Sequence, residues 1–405
     1  MGKPLSGVRI LDLSRAIAGP YGTMILADMG AEVIHVEPPE GDIARFEAGP
    51  NYKGESFHHL SWNRNKKSIV LDFGTKSGKE AIYDLVRISD IVWNNFRPGA
   101  MERAGADYDT LKTINPRIIY VSLTGYGSSG PSKDRPAFDV VILAHSGVLS
   151  VTGEPGGTPV RPGPPLADMG GGIFAAVGAL AAIFDRERTG RGRKIDISMQ
   201  DACISFLAYQ ICQYFLTGVT PTPLDHSGHK FSVPYGVYRT KKGYIAIGPS
   251  WPRITRAIGA EWMVNDPRFK DWAARDEHRE ELNAVVEEHL AKAEAEQWLE
   301  IFKEEDIPAD LIKTIDQVVV DPQVLHRSMI LKLNHPLGGE VELAGNPVKM
   351  EGLSEEDYFA PPTLDQHGHE ILSELLGYSE EKIKKLKQDE EENTQERLRH
   401  VRKVH

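Results

Sequence analysis

Asp168 is a single carboxylate in the segment GPPLADMGGG, where it separates an apolar run from Gly170, Gly171 and Gly172. One interpretation is a cap for the apolar helix that the next residues predict. The other is a nucleophile, held by the glycine N–H groups and by the positive end of that helix. The glycines would leave room for a bulky acyl group and would donate to an oxyanion. Spacing alone leaves both roles open.

Basic side chains lie at the ends of several predicted strands: Arg15 after the first strand, the block NRNKKS at 63–68, and Arg97 and Arg103. Ordinary solvated surface charge would explain each one separately. Because the loops that carry them are expected at one edge of the sheet, together they suit a phosphate-bearing ligand, whose oxygens arginine binds well. The neighbouring Asn95 and Phe96 add an amide and a ring that suit a nucleotide base.

Three other classes of site have little support in the sequence: a dinucleotide site, a metal site and a serine-hydrolase site. The segment GYGSSG, which starts at Gly125, has dinucleotide-binding spacing, but two prolines follow it and no helix opens there. The pairs His226/His229 and His367/His369 come without the further ligands of a metal site, so no metal is expected. The sequence contains no G-x-S-x-G elbow of a serine hydrolase.

The elements that must position these residues alternate between strands and helices, which predicts an α/β fold with a doubly wound parallel sheet. The predicted strands are VRILDLS, AEVIHVE, SIVLDF, DIVWNNF, IIYVSLTGYG and KIDIS. A small-residue helix is predicted over 170–186, and another helix starts near Met199. Beyond a linker at 217–230 we expect a hairpin at YGVYRTKKGYIAIG, helices over 251–305, short strands VEL and VKM, and a charged, solvated helix at 379–405.

Composition narrows the classes of function. The 405 residues predict about two or three domains, and the net charge of −11 argues against nucleic acid as a partner. Cys203 and Cys212 are too few for a disulfide framework. The longest apolar run, 169–184, is shorter than a membrane span, and the N-terminal sequence has no signal-peptide pattern. We therefore expect a cytoplasmic protein with no membrane partner.

Five blocks, taken in order, resemble the family III CoA-transferases of the CaiB/BaiF type, among them the formyl-CoA:oxalate, carnitine and bile-acid CoA-transferases. The blocks are LDLSRAIAGPYGTMILADMGAEVIHVEPPEGD, NRNKKSIVLDF, NNFRPGAMERAG, NPRIIYVSLTGYGSSGP and TGRGRKIDISMQD. The resemblance covers residues 5–350.

The resemblance implies a Rossmann-like large domain over 1–220, a smaller α+β domain over 221–330, and a segment, 331–405, that returns to the large domain. It also implies an interlocked homodimer. The substrates would be an acyl-CoA and a carboxylic acid. Coenzyme A would take part as a substrate, and no prosthetic group is expected.

The same resemblance implies that Asp168 is the nucleophile, with Gly170 and Gly171 beside it. The residues implied to bind coenzyme A are Arg15, Ala18, Asn63, Lys66, Lys67, Asn95, Phe96, Arg97, Arg103 and Tyr126. Arg15 stands where some members carry His. In the implied reaction Asp168 attacks the donor thioester to give a mixed anhydride. The thiolate of CoA converts the anhydride into an aspartyl-CoA thioester, and the acceptor carboxylate then takes the CoA.

Two departures from the family patterns bear on the substrate. The formyl-CoA:oxalate enzymes have a run of consecutive glycines in the small domain, whereas this chain has HSGHKFSVPYG there, which disfavours an oxalate-type substrate. The racemases of the superfamily carry His before the aspartate of the DxxxxAxSG block, and here Phe138 precedes Asp139. A 2-methylacyl-CoA racemase is therefore the second hypothesis, and a CoA-binding protein without catalysis is the third.

Overall fold

The computed structural model describes the backbone of residues 2–404 and the side chains of residues 2–397. The strands are β1 (Arg9–Asp12), β2 (Glu32–Glu37), β3 (Asn51–Tyr52), β4 (Glu55–Ser56), β5 (Lys66–Val70), β6 (Ile91–Asn94), β7 (Ile119–Thr124), β8 (Lys194–Ser198), β9 (Gly236–Arg239), β10 (Tyr244–Ile247), β11 (Ala309–Leu311), β12 (Ile330–Asn334) and β13 (Glu340–Ala344). The helices are α1 (Ala18–Asp28), α2 (Phe57–Trp62), α3 (Lys76–Ile88), α4 (Ala100–Ala104), α5 (Tyr108–Ile114), α6 (Asp139–Ser146), α7 (Leu166–Thr189), α8 (Met199–Phe206), α9 (Ala208–Thr217), α10 (Arg253–Ala257), α11 (Trp272–Glu277), α12 (Arg279–Leu290), α13 (Ala295–Glu304), α14 (Ile315–Val318), α15 (Pro322–His326), α16 (Gly368–Glu370) and α17 (Glu380–Val404).

Six strands form a parallel sheet in the order β5–β2–β1–β6–β7–β8. Counted among themselves along the chain, these strands lie in the order 3-2-1-4-5-6, which is the order of doubly wound nucleotide-binding folds. The predicted α/β fold with a parallel sheet is confirmed. The strand order reverses between β1 and β6, so the loops that begin at Leu13 and Asn95 flank the position where such sheets bind their ligands.

Except for β8, the strands of the sheet are buried over nearly their whole length, as is usual where helices cover both faces. Leu11, Ile34 and Val92 are fully buried in a cluster that α3 and α17 also enter. Helix α17 contributes Ile383 and Leu386 to this cluster. The prediction of a solvated C-terminal helix is therefore wrong for one face of it. Apolar residues three positions apart give the helix a buried face. The predicted helical state of His405 lies outside the described residues.

Helix α7 spans 24 residues and is longer than the predicted 170–186. Within residues 2–404 it is the one helix whose length and composition would suffice to cross a bilayer, a criterion that a buried core helix also meets. The helix packs against α1, α8, β7 and β8. Ala175, Ala179 and Ala182 are buried in these contacts.

The chain divides into two compact units. The first comprises Met1–Ser146, Pro164–Phe206 and Pro322–His405, and the second comprises Gly147–Gly163 and Leu207–Asp321. Helix α9 therefore belongs to the second unit and α15 to the first. The sequence suggested a boundary at 217–230, where the composition changes. The division before Leu207 is not visible in the sequence, because no proline or glycine stands there.

In the second unit, β9, β10 and β11 form an antiparallel sheet in the order β11–β10–β9. The predicted hairpin is confirmed, since Arg239 pairs with Tyr244. In the first unit β12 pairs with β13, whereas the predicted strand VKM at 348–350 is irregular. Pro347 precedes it and has no N–H to give to a ladder.

Candidate active site

A cavity of about 210 Å³ lies in the first unit, at the carboxyl ends of β1, β6, β7 and β8. Five of the residues singled out in the sequence line it: Asp168, Ala18, Asn95, Arg97 and Tyr126. These residues are far apart in the chain. The parallel sheet brings them together because the loops after neighbouring strands meet at one edge.

Asp168 is the third residue of α7, and the residue before the helix, Pro165, occupies the N-cap position. Pro165 has no side-chain acceptor, and its carbonyl accepts from the Met169 N–H at 2.9 Å. The first-turn N–H groups are instead taken by Asp139, whose Oδ1 lies 2.9 Å from the Ala167 nitrogen and 3.4 Å from the Asp168 nitrogen. The interpretation of Asp168 as the cap of this helix is therefore wrong, and Asp139 has that role.

The three glycines after Asp168 do not have the predicted role. They lie inside α7, where each N–H is donated to the carbonyl four residues back, so these groups are not oxyanion donors. A Cβ on Gly172 would lie 2.7 Å from the Ala18 carbonyl oxygen, and one on Gly170 would lie 2.7 Å from the Phe206 ring. On Gly171 it would lie 2.9 Å from Leu123. The glycines allow α7 to pack closely on its neighbours, and this packing holds Asp168 at the cavity.

The loop after β1 is held in place from two sides. Asn95 accepts from the Arg15 N–H at 2.8 Å and donates to the Arg15 carbonyl at 2.8 Å. Ala16, which lines the cavity, has a φ of 62°. This left-handed conformation is unfavourable for alanine. Asp42 holds it, because both of its carboxylate oxygens lie 3.1 Å from the Ala16 nitrogen.

Three of the remaining predicted contacts lie beside this loop. The Arg15 guanidinium stacks over the half-buried Phe96 ring, with 5.0 Å from its central carbon to the ring centroid. Arg103 is exposed on α4, the helix that follows the β6 loop. These three side chains do not line the cavity itself, and Phe96 borders a second cavity that shares Arg97 and Pro98 with the first.

Asn63 and Lys66 are not at the cavity. Asn63 precedes β5 and Lys66 is its first residue, but the Lys66 side chain reaches the carboxyl end of β1, and both residues are fully buried. The Lys66 ammonium binds Asp12 at 3.1 Å, Asn63 at 2.9 Å and the Pro20 carbonyl at 3.0 Å. Burial by itself would raise the pKa of Asp12, but Lys66, with His35 and Ser14, holds that pKa well below its ordinary value. In this structure the two side chains bind other residues of the chain, and their contact with coenzyme A stays a prediction.

Lys67 also lies apart from the cavity. Its ammonium is 2.8 Å from Glu370 and 3.2 Å from Glu32, at the amino-terminal side of the sheet. The block NRNKKS was expected with the other basic loops because its charge suggested a surface loop. The block precedes and begins β5 instead of following a strand. Lys67 therefore lies at the edge of the sheet opposite the cavity.

Sequence reasoning missed three side chains around the cavity. Lys133 and Arg135 line it and are exposed, and the Arg135 guanidinium lies 5.2 Å from the Tyr126 ring centroid. The segment PSKDRP after β7 was a signal for them, since it puts two more cations after a strand. Asp42 gave no signal in the sequence, because its contact with Ala16 depends on the tertiary fold.

Two hydroxyl groups in the cavity wall are unsatisfied. The Thr124 Oγ1 and the Tyr126 OH are buried and have no hydrogen-bond partner among the described residues. A buried hydroxyl without a partner is costly, and such groups call for an explanation. A ligand that approaches with a polar atom would satisfy them after a small shift of the wall.

Comparisons with known proteins identify the family of this chain. A model of CoA-transferase family III matches residues 5–368. The mouse succinyl-CoA:glutarate CoA-transferase is 36% identical over 392 residues, which cover 95% of this chain and 89% of the mouse protein. The acetyl-CoA:oxalate CoA-transferase of Acetobacter aceti is 34% identical over 379 residues, with 92% and 96% covered. The crystal structure of a CaiB/BaiF family protein from Brucella suis has a TM-score of 0.82 at 32% identity and covers 93% of this chain and 100% of that one.

The family inferred from the five sequence blocks is confirmed by these matches. The relatives are named CoA-transferases, and this chain is an enzyme of that kind, which excludes the hypothesis of a binding protein without catalysis. The chain belongs to CoA-transferase family III.

Proposed function

We propose that Asp168 is the nucleophile of the CoA transfer that this enzyme catalyses between an acyl-CoA and a carboxylate. The observation that carries the proposal is the place of Asp168 in one cavity with Asn95, Arg97 and Tyr126, at the reversal point of the sheet. An anionic, thioester-bearing substrate that enters there has cations for its phosphates and a carboxylate beside its acyl group.

The proposed chemistry proceeds through two kinds of covalent intermediate. A carboxylate oxygen of Asp168 attacks the donor thioester carbon, the C–S bond breaks, and a mixed anhydride and CoA thiolate result. The thiolate attacks the aspartyl carbonyl, which releases the donor acid and leaves an aspartyl-CoA thioester. The acceptor carboxylate attacks this thioester to give a second anhydride. The thiolate then attacks the acceptor carbonyl, which yields the new acyl-CoA and restores the Asp168 carboxylate.

Coenzyme A would bind across the loops after β1 and β6. Arg97 and Arg103 are exposed there and suit the phosphates, and the Phe96 face with Arg15 over it suits the base. Asn95 contributes by holding the β1 loop through both of its hydrogen bonds to Arg15. The Tyr126 hydroxyl would bind a polar atom of the substrate, because it has no partner within the described part of the chain.

A short dicarboxylate is the acid substrate that we propose. The relatives named above act, by their names, on glutarate and on oxalate, and Lys133 and Arg135 add two cations to the cavity wall. The test compares glutarate with pentanoate, which has the same chain length and one carboxylate. Glutarate should be the better acceptor, and equal use of pentanoate would contradict the assignment.

The enzyme would act as a homodimer, interlocked as the resemblance implies. Ile173, Val177 and Phe184 lie on one face of α7 and are 42%, 57% and 69% exposed. Such an apolar face on a helix is typical of an association surface. Light scattering should give twice the chain mass, and Val177→Glu with Phe184→Glu should give monomers. A wild-type chain that measures as a monomer would contradict this proposal.

A racemase remains the weaker alternative. Proton transfer at an α-carbon needs a titratable side chain on each face of the substrate, and Phe138, which lines the cavity, cannot carry a proton. Incubation of a 2-methylacyl-CoA in heavy water should leave its α-hydrogen unexchanged. Rapid exchange without CoA transfer would favour the racemase.

The kinetic test of the nucleophile uses two aspartates of the same helix. Asp168→Ala should lower CoA transfer by about 10³-fold or more, since removal of a covalent nucleophile removes the reaction path. Asp185, near the other end of α7, pairs with Arg193 at 2.5 Å, and Asp185→Ala should keep wild-type activity. Equal activity of Asp168→Ala and Asp185→Ala would contradict the proposal.

A further inference from the structure

The carboxylate of Asp139 connects two helices next to the cavity. Asp139 is the first residue of α6, and its side chain reaches the start of α7. Its Oδ1 accepts from the Ala167 N–H at 2.9 Å and is 3.4 Å from the Asp168 nitrogen. Both ends of this contact are shielded from water, because Asp139 is 8% exposed and Ala167 is fully buried. Water is therefore a poor replacement for the acceptor.

The start of α7 has no other cap of its own. Pro165 at the N-cap position has neither a side-chain acceptor nor an N–H, so it cannot form a capping box with the third residue of the helix. The first-turn N–H groups of a helix need acceptors from outside it. Asp139 is such an acceptor for the N–H groups of Ala167 and Asp168.

A second observation places the two carboxylates in one electrostatic neighbourhood. Burial raises the pKa of the Cys203 thiol, and the negative charges of Asp139 and Asp168 raise it further. Cys203 lies on α8, which packs against both α6 and α7. Asp139 therefore lies where α6, α7 and α8 pack against one another, close to the start of α7.

We propose that Asp139 is a positioning residue for the transfer reaction: by capping α7 it fixes the first turn of that helix and, with it, the place of the Asp168 side chain at the cavity. The inference rests on the proposed role of Asp168. Without the Asp139 acceptor, the buried Ala167 N–H loses its partner and the first turn opens. A nucleophile displaced by about 1 Å loses on the order of 100-fold in rate.

The test compares Asp139→Ala and Asp139→Asn with Thr75→Ala. Asparagine keeps the Oδ1 acceptor and removes the charge. Thr75 caps α3 through its hydroxyl, which accepts from the Gly78 N–H at 3.0 Å, so Thr75→Ala removes a helix cap elsewhere in the same unit. Asp139→Ala should lower kcat by about 10- to 100-fold, with KM for acyl-CoA within about threefold. Asp139→Asn should recover most of the lost kcat, and Thr75→Ala should keep wild-type kcat.

Two kinetic results would overturn the inference: wild-type kcat in Asp139→Ala, or an equal loss in Asp139→Asn, which would assign the effect to charge rather than to position. Hydrogen exchange at the Ala167 and Asp168 amides tests the cap independently of catalysis. Asp139→Ala should accelerate it by about tenfold or more, and unchanged exchange would overturn the inference as well. If the wild-type enzyme transferred no CoA, the proposed function would fail, and the exchange measurement would still decide the cap.

Discussion

The backbone N–H of Asp168 faces the carboxylate of Asp139, with 3.4 Å between the nitrogen and Oδ1. The two acidic residues therefore have different tasks at the start of α7. Asp139 accepts from the first-turn N–H groups, which is the role that a side chain at the N-cap position commonly has. Asp168 is carried on the turn that this contact fixes and lines the cavity. This division connects the helix geometry with the proposed nucleophile.

Because α7 packs closely on α1, replacement of Gly172 should lower the stability of the protein. In Gly172→Ala the new Cβ would lie 2.7 Å from the Ala18 carbonyl oxygen, which belongs to the backbone and cannot rotate away. We expect the free energy of unfolding to fall by about 1–3 kcal/mol. Gly178→Ala, in the same helix, meets a side-chain methyl of Ile195 at 3.0 Å. It should change stability by less than about 1 kcal/mol, and urea denaturation measures both variants. Equal stability of the two variants would contradict the close helix contact.

The buried ion pair between Lys66 and Asp12 makes two predictions for the free energy of unfolding. One concerns the loss of the Lys66 ammonium, and the other concerns pH. Lys66→Met leaves the buried Asp12 without its ammonium and should cost about 3–5 kcal/mol, whereas Lys66→Met combined with Asp12→Asn should cost less. Because folding lowers the pKa of Asp12 below its unfolded value of about 3.9, this group stabilises the fold above that pH and loses the contribution as the pH falls below it.

Urea denaturation between about pH 2 and pH 5 measures this contribution. The wild-type stability should fall with decreasing pH more steeply than that of the double variant. Parallel pH profiles of the two proteins would show that Asp12 does not carry the predicted linkage.

The strained Ala16 predicts a stabilising substitution. Its φ of 62° suits glycine better than alanine, so Ala16→Gly should raise the free energy of unfolding by about 0.5–1 kcal/mol. Ala27→Gly, in the buried helix α1, should lower it because glycine is unfavourable there. Thermal and urea denaturation measure both. Destabilisation by Ala16→Gly would mean that the left-handed conformation carries no strain.

The unsatisfied Tyr126 hydroxyl predicts opposite effects on stability and binding. Tyr126→Phe removes a buried OH that has no partner in the described part of the chain, so the free enzyme should be as stable as the wild type or slightly more so. If the hydroxyl binds the substrate, KM for acyl-CoA should rise by about tenfold, as expected for the loss of one hydrogen bond. An unchanged KM would remove Tyr126 from the binding set.

The sequence predicted the parallel sheet because its strands are apolar and alternate with helices, a pattern that local physics largely determines. It also predicted Asp168, Asn95 and Arg97 at one site, since residues that follow parallel strands share an edge. It gave no sign that Asn63 and Lys66 are fully buried or that Lys67 pairs with Glu32 and Glu370, because these contacts depend on the tertiary fold.

The predicted role of the three glycines was wrong. Composition cannot tell whether a glycine makes room for a ligand or for a neighbouring helix, and here Gly172 makes room for α1. The contacts of Asp139 with α7 and of Asp42 with Ala16 join segments that are distant in the chain. Such pairings are set by the tertiary fold, so a single sequence gives no sign of them.

The central claim, that Asp168 forms the covalent intermediate, is tested most directly by trapping. The enzyme is mixed with an acyl-CoA that it uses, quenched in acid within one turnover, digested, and analysed by mass spectrometry. The peptide holding Asp168 should carry the added mass of CoA, and hydroxylamine should remove this mass. Asp168→Ala should show no such adduct, whereas Asp185→Ala should. An adduct on another residue, or none with any acyl-CoA that the enzyme turns over, would contradict the central claim.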